Sequence, residues 1–128
     1  MNPVRHKFRT LPGVYAVCCL PPDTPQPIWP KGEFISVTKT ADEFSIICLG
    51  SSVPRGLKSD HGWRVLKLLG PFPLSDVGIL ASFTAPLAHA RISVLAVGTF
   101  ETDYLLVKED SLLAAVAVLE AAGHVRVQ

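Results

Sequence analysis

Residues 98–125, GTFETDYLLVKEDSLLAAVAVLEAAGHV, read as turn, apolar strand, capped helix, turn and strand. DYLLVK (103–108) is the strand. Asp110 or Ser111 caps a helix that runs to Ala122, and Gly123 ends it, as glycine commonly does where the backbone must turn left-handed. HVRV closes the stretch as a short strand. Four of its uncharged and acidic polar side chains (Thr99, Glu101, Thr102, Asp103) gather where one apolar strand hands over to the next. Such a corner suits a small polar ligand better than covalent chemistry.

Working outward, WRVLKLL (63–69) alternates and then runs apolar, as a half-buried strand does. Gly70-Pro71-Phe72-Pro73 breaks it. Ser75 or Asp76 then offers an N-cap for a helix from about Val77, with Ile79, Leu80, Phe83, Leu87 and Ala88 on its apolar face. Pro86 should bend this helix or end its regular hydrogen bonding. ISVLAV (92–97) is apolar and β-branched enough for a fully buried strand. The order is βαββαβ, the ferredoxin-like arrangement of a four-stranded antiparallel sheet backed by two helices.

The first half is a degraded echo of the same plan. VYAVCCL (14–20) is a strand, and PPDTPQPIWPKG stands where a first helix would be. Eight prolines before residue 55 leave no room for a long helix there. FISVTKT (34–40) and FSIICLG (44–50) form a hairpin around Ala41-Asp42-Glu43. TADEFSIICL thus stands opposite TFETDYLLVK, a weak internal repeat. The division expected is 1–61 for an N-terminal unit with incomplete helices and 62–128 for a complete C-terminal one. Neither has apolar residues enough for an independent core, so the two should pack sheet to sheet or edge to edge.

Composition removes several function classes. A net charge of +1 with scattered Lys and Arg provides no footprint for nucleic acid or an anionic membrane surface. No apolar run approaches the ~20 residues of a membrane span. The leading MNPVRHKFRT lacks a signal peptide's apolar centre, and three cysteines at 18, 19 and 48 are no secreted disulfide framework, so the expected compartment is the cytoplasm. Cys18 and Cys19 point to opposite faces of a strand and cannot converge on a metal; buried inert thiols are the expectation. The four histidines have no ligand spacing, so neither metal nor cofactor is expected. Ser51-Ser52 lacks a nucleophile-elbow context, and Glu101 and Asp103 have no base nearby, which argues against an enzyme.

The runs GWRVLKL (62–68), GILASFTAPLAHA (78–90) and ISVLAVGTFETDYLLVKEDSLLAAVAVLEAAGH (92–124) resemble a bacterial ACT-domain family. Its members are small proteins of two tandem ACT-like units, related to the ACT modules of arginine sensors of the CASTOR type. AVCCLPPDTPQP and FISVTKTADEFSIICLGSSVP are similar to that family's first unit, so the resemblance spans about Leu11 to Val125. It is most specific from Gly98 to Val107. The resemblance implies an α+β fold of two tandem ACT-like units, the first degraded, packed together. It implies a non-enzymatic sensor that binds an amino acid or related metabolite between the units. Carried over, the site is the loop Leu74-Ser75-Asp76-Val77-Gly78 with Ile79, facing Thr99, Phe100, Glu101, Thr102 and Asp103. The partners implied are the small-molecule effector and either a second copy or another protein.

Physical reasons stand beside the resemblance. Free N–H groups at a helix start favour a carboxylate, and a glycine such as Gly78 permits close backbone approach. Asp103 or Glu101 can pair with an ammonium group. Each residue also has a plainer reading: Asp76 as a helix cap, Thr99 and Thr102 as strand formers, Asp103 as a partner for turn amides, Trp29 and Trp63 as packing. The rival function is an interaction module whose same surface is filled by a partner chain. An open, polar-lined cleft near 76–78 and 98–103 favours the sensor; tight apolar packing there favours the module.

Overall fold

The computed structural model describes residues 5–128. The first four positions of the leading segment discussed above therefore lie outside the described residues. The strands, in chain order, are β1 (Lys7–Thr10), β2 (Tyr15–Leu20), β3 (Ser36–Lys39), β4 (Phe44–Leu49) and β5 (Ser59–Leu68). After helix α1 (Ile79–His89) come β6 (Leu95–Gly98), β7 (Asp103–Lys108), helix α2 (Leu112–Ala121) and β8 (Val125–Arg126).

The chain divides into two units, one of residues 13–63 and one of residues 64–128 with the described residues up to Pro12. The boundary expected at 61/62 thus moves to Trp63/Arg64, and the N-terminal segment changes sides. The reason is β1, a strand not anticipated from the sequence. Phe8 pairs with Leu68 and Thr10 with Leu66 in antiparallel register, and Lys7 pairs with Val125 in parallel.

In the 64–128 unit the strand order is β6-β7-β5-β1-β8. β1 therefore separates β5 from β8, and the expected four antiparallel strands become five, with β8 parallel to its neighbour. Both helices contribute to one apolar core: Phe83 and Leu87 from α1, and Ala115, Val116 and Leu119 from α2. They pack with Phe8, Leu66, Leu68, Leu105 and Val107 of the sheet. The spacing 83, 87 and 115/116, 119 is the helical period that puts one stripe inward.

Three details differ from expectation. α1 starts at Ile79, and its N-cap is Gly78 at φ 86°, with no side-chain cap from Ser75 or Asp76. The chain is still turning there: the Asp76 N–H donates to the Pro73 carbonyl at 3.0 Å. Ala88, placed on the apolar face, is exposed. β6, read as fully buried, is largely exposed, because it lies at the sheet edge with β7 as its partner among the described strands.

The 13–63 unit has the strand order β3-β4-β2, with β2 continuing to residues 59–63 of β5. Its core is Ala16, Cys18, Leu20, Phe44, Ile46 and Cys48, with Trp29, Val53 and Leu57 against it. It contains one short 3₁₀ turn (Gly50–Ser52) and no α-helix, as its prolines require. Both units share one local device. The Thr40 N–H donates to the Glu43 carbonyl at 2.9 Å, and the Thr99 N–H to the Thr102 carbonyl at 2.8 Å. In each turn the threonine hydroxyl also accepts the N–H three residues on, at 3.1 Å from Glu43 and 3.3 Å from Thr102. A short side-chain oxygen held by its own turn is what threonine provides here.

Candidate functional site

The turn at 99–102 is tied down from two directions. The Thr102 hydroxyl, in a residue 8% exposed, donates to the Leu68 carbonyl at 2.7 Å. The Glu101 carbonyl accepts the Phe72 N–H at 2.8 Å. Gly70 makes that approach possible, since a Cβ there would stand 2.8 Å from the same Glu101 oxygen. The segment after β5 is thus laid across the β6–β7 turn, and the chain continues through Pro73–Asp76 to the start of α1.

Between these pieces lies a groove of about 480 Å³, within the range of small-molecule sites. Its walls are Phe72 to Leu74 and Asp76, the first turn of α1 (Gly78 to Ala81, with Thr84), and Thr99 to Asp103. Every lining residue belongs to the 64–128 unit. Of the residues singled out in the sequence, Asp76, Gly78, Ile79, Thr99, Phe100, Glu101, Thr102 and Asp103 all meet here. Val77 does not: it is 95% exposed and lies outside the lining.

The threonines contribute less free valence than expected. Thr99 Oγ1 donates to the Thr102 carbonyl at 3.0 Å while accepting the Thr102 N–H. One acceptor site is left to it, and the proton of Thr102 is spent on Leu68. Gly78 takes a left-handed φ of 86°, and the space where a Cβ would stand is open to at least 4 Å. Gly98 does relieve crowding: a Cβ would stand 3.3 Å from Asp103 Oδ1.

Charge is the other property of the groove. Its lining carries three carboxylates, Asp76, Glu101 and Asp103, and no Lys, Arg or His. Against them stands the first turn of the 11-residue α1, whose N–H groups have no partner within the helix and carry its positive dipole end. A helix start favours an anion and carboxylates favour a cation, and both line this groove, with Asp76 beside the helix start itself. Phe72, Pro73, Leu80, Ala81 and Thr84 line it without having been singled out. The signal for the last three was helical spacing from Gly78; Phe72 had none, because only the hydrogen bond to Glu101 brings it there.

Among the described residues no group of three or more His, Cys, Asp or Glu could hold a metal ion. No helix among them is long and apolar enough to cross a membrane.

A βαββαβ unit with an effector-sized groove beside its first helix is the architecture of an ACT domain. The ACT-domain model matches residues 58–121, half of the chain, and the protein belongs to that family. A second model, described as an N-terminal domain, matches residues 13–56. A crystal structure from Agobacterium tumefaciens is 36% identical and superposes with a TM-score of 0.91, covering 97% of this chain and 93% of that one. A Vibrio cholerae protein of unknown function superposes at 0.71 with 18% identity over 91% and 88% of the two chains. The Clostridium acetobutylicum aspartate kinase does so at 0.66 with 9% identity, over 90% of this chain and 33% of that enzyme; these two likenesses speak to the fold alone. The human cytosolic arginine sensor for mTORC1 subunit 1 is 37% identical over 59 residues, which are 45% of this chain and 18% of the sensor. The chain thus spans under a fifth of that relative's length.

Proposed function

We propose that this protein is a non-enzymatic regulatory sensor whose 64–128 unit binds an amino acid with a positively charged side chain. The observation that carries the reading is the charge of the groove: three carboxylates without a basic residue, Glu101 and Asp103 on the β6–β7 turn and Asp76 just before the helix start. The α-carboxylate would take the N–H groups after Gly78, and Asp103 with Glu101 would hold the cationic groups. A relative named as an arginine sensor is consistent with that choice. Occupancy regulates only if the ligand binds one arrangement of the protein more tightly than another, read by a second copy or a protein partner in the cytoplasm.

Calorimetry against the standard amino acids tests the reading. A basic amino acid should bind, acidic ones should not, and Asp103→Asn should weaken binding at least about tenfold, the loss of a charge-assisted bond. Tighter binding of glutamate than of arginine or lysine would overturn the charge assignment, and no binding by any amino acid would overturn the sensor.

The second reading, an interaction module, draws on the rim. Leu74 is 75%, Phe100 82% and Val77 95% exposed, three large apolar side chains beside one groove. A partner segment covering them would leave these residues, rather than Asp103, as the sensitive positions in a pull-down.

A further inference from the structure

Behind the groove wall sits a pair of histidines that the proposed function does not use. His124 is 3% exposed and lies flat on Phe83, the ring centroids 3.8 Å apart. Its Nδ1 accepts the backbone N–H of His6 at 3.1 Å, and its Nε2 stands 2.9 Å from the Ser82 carbonyl of α1. In its neutral form, a ring that accepts at Nδ1 and meets a carbonyl at Nε2 carries its one proton on Nε2. The His6 carbonyl in turn accepts the Val125 N–H at 3.0 Å, so the His6 backbone is held by both sides of the α2–β8 corner.

The His6 side chain points among aromatic rings. Phe72 meets it edge-on at 5.2 Å, and Phe83 and His124 stack at 6.2 and 6.0 Å. Its Nε2 is buried with no hydrogen-bond partner among the described residues. A neutral ring can keep a bare acceptor there at modest cost. An imidazolium would bury an N–H with nothing to receive it, which is much dearer.

We propose that His6 is a protonation-sensitive brace of the groove: neutral, it packs against Phe72 and fixes that wall; protonated, it leaves the aromatic pocket toward Asp76 and loosens it. The groups that act electrostatically on His6 are His124, which opposes its charge, and Asp76, which favours it. Arg5 and Lys7 flank it in the chain, and α1 presents Ser82 and Phe83, neither of them ionisable. Burial is the largest influence, with His124 second, and together they hold the His6 pKa below the ordinary histidine value of 6.5. The folded form with neutral His6 is therefore fully favoured above about pH 6.5 and loses ground as pH falls below it. Asp76 and Phe72 both line the groove, so the same proton that moves His6 alters the wall and its charge.

The reporter is the Phe72 amide, whose hydrogen bond to Glu101 closes that wall. Hydrogen exchange of the full chain, read by NMR without any ligand and corrected for the intrinsic pH dependence of exchange, gives its protection from about pH 8 to pH 5. In the wild type this protection should fall roughly tenfold or more across the range, in step with the His6 ring titration. His6→Phe fills the pocket without titrating and should keep its protection flat; His6→Gln serves the same purpose if the phenylalanine variant does not fold. A wild-type profile that stays flat, or an equal loss in either variant, overturns the proposal. Because no effector is present, the outcome is independent of whether the groove binds an amino acid.

Discussion

Thr102 and Leu68 are joined by a hydrogen bond of 2.7 Å that crosses 34 residues of chain and ties the β6–β7 turn to β5. Three of the groove's lining residues, Thr99, Glu101 and Asp103, take their positions from the turn that this bond anchors. Thr102→Val keeps the shape and removes the donor, leaving the Leu68 carbonyl buried with one partner fewer. Stability should fall by about 1–2 kcal/mol. Denaturant unfolding checks it: the midpoint drops with the slope unchanged, and Thr102→Ser recovers most of the loss.

Gly70→Ala should displace the same turn from the other side. The new Cβ meets the Glu101 carbonyl at 2.8 Å, and a backbone oxygen cannot swing away as a side chain would. We expect a cost of about 1–3 kcal/mol, as for other forced overpacking. Amide chemical-shift changes should concentrate at Phe72 and residues 99–103, with the α2 amides unmoved.

Phe83→Ala removes a fully buried ring from the core of the 64–128 unit together with the face on which His124 stacks. The expected loss is about 3–5 kcal/mol, which approaches the whole stability of a small domain. Thermal unfolding followed by circular dichroism should show a collapse of cooperativity. Phe83→Leu, which keeps volume but not the stack, should cost far less.

Cys18 predicts an alkaline limb in the stability profile. Burial, then Cys48 beside it, pushes its thiol from 9.0 up to about 11. The folded state therefore resists losing this proton while the unfolded chain gives it up near pH 9, so stability present below pH 9 is lost as pH rises toward 11. Cys18→Ala should flatten that limb in a series of unfolding curves, while lowering stability at neutral pH. Iodoacetamide at pH 8 should leave Cys18 unmodified until the protein unfolds, since the thiolate is the nucleophile.

What was legible in the chain follows from how local each signal is. β7 runs Asp103–Lys108 as its apolar run indicates, and α2 ends before Gly123, which adopts φ 103°. The Thr40 and Thr99 turns were visible as a repeated threonine and acid pattern, because their hydrogen bonds close within four residues. β1 was missed, since the basic residues around Phe8 mask a strand whose single fully buried side chain needs β5 and β8 beside it. β6 misled in the opposite direction: ISVLAV is apolar enough for a buried strand, but exposure depends on where in the sheet it pairs. The N-cap of α1 was placed at Ser75 or Asp76 by residue preference, while a turn at 73–76 delays the helix to Gly78.

By itself the sequence determined the order of elements in the 64–128 unit, the turn chemistry at 99–102 and most of the residues that meet there. Periodicity, capping and turn formation are short-range, and a single strand of text contains them. Only the tertiary structure decided that β1 stands between β5 and β8, that Phe72 closes the groove and that Val77 points away from it. It also decided that His6 and His124, 118 positions apart, share one aromatic pocket. Those relations rest on hydrogen bonds and packing between distant segments, and no local pattern of residues encodes them.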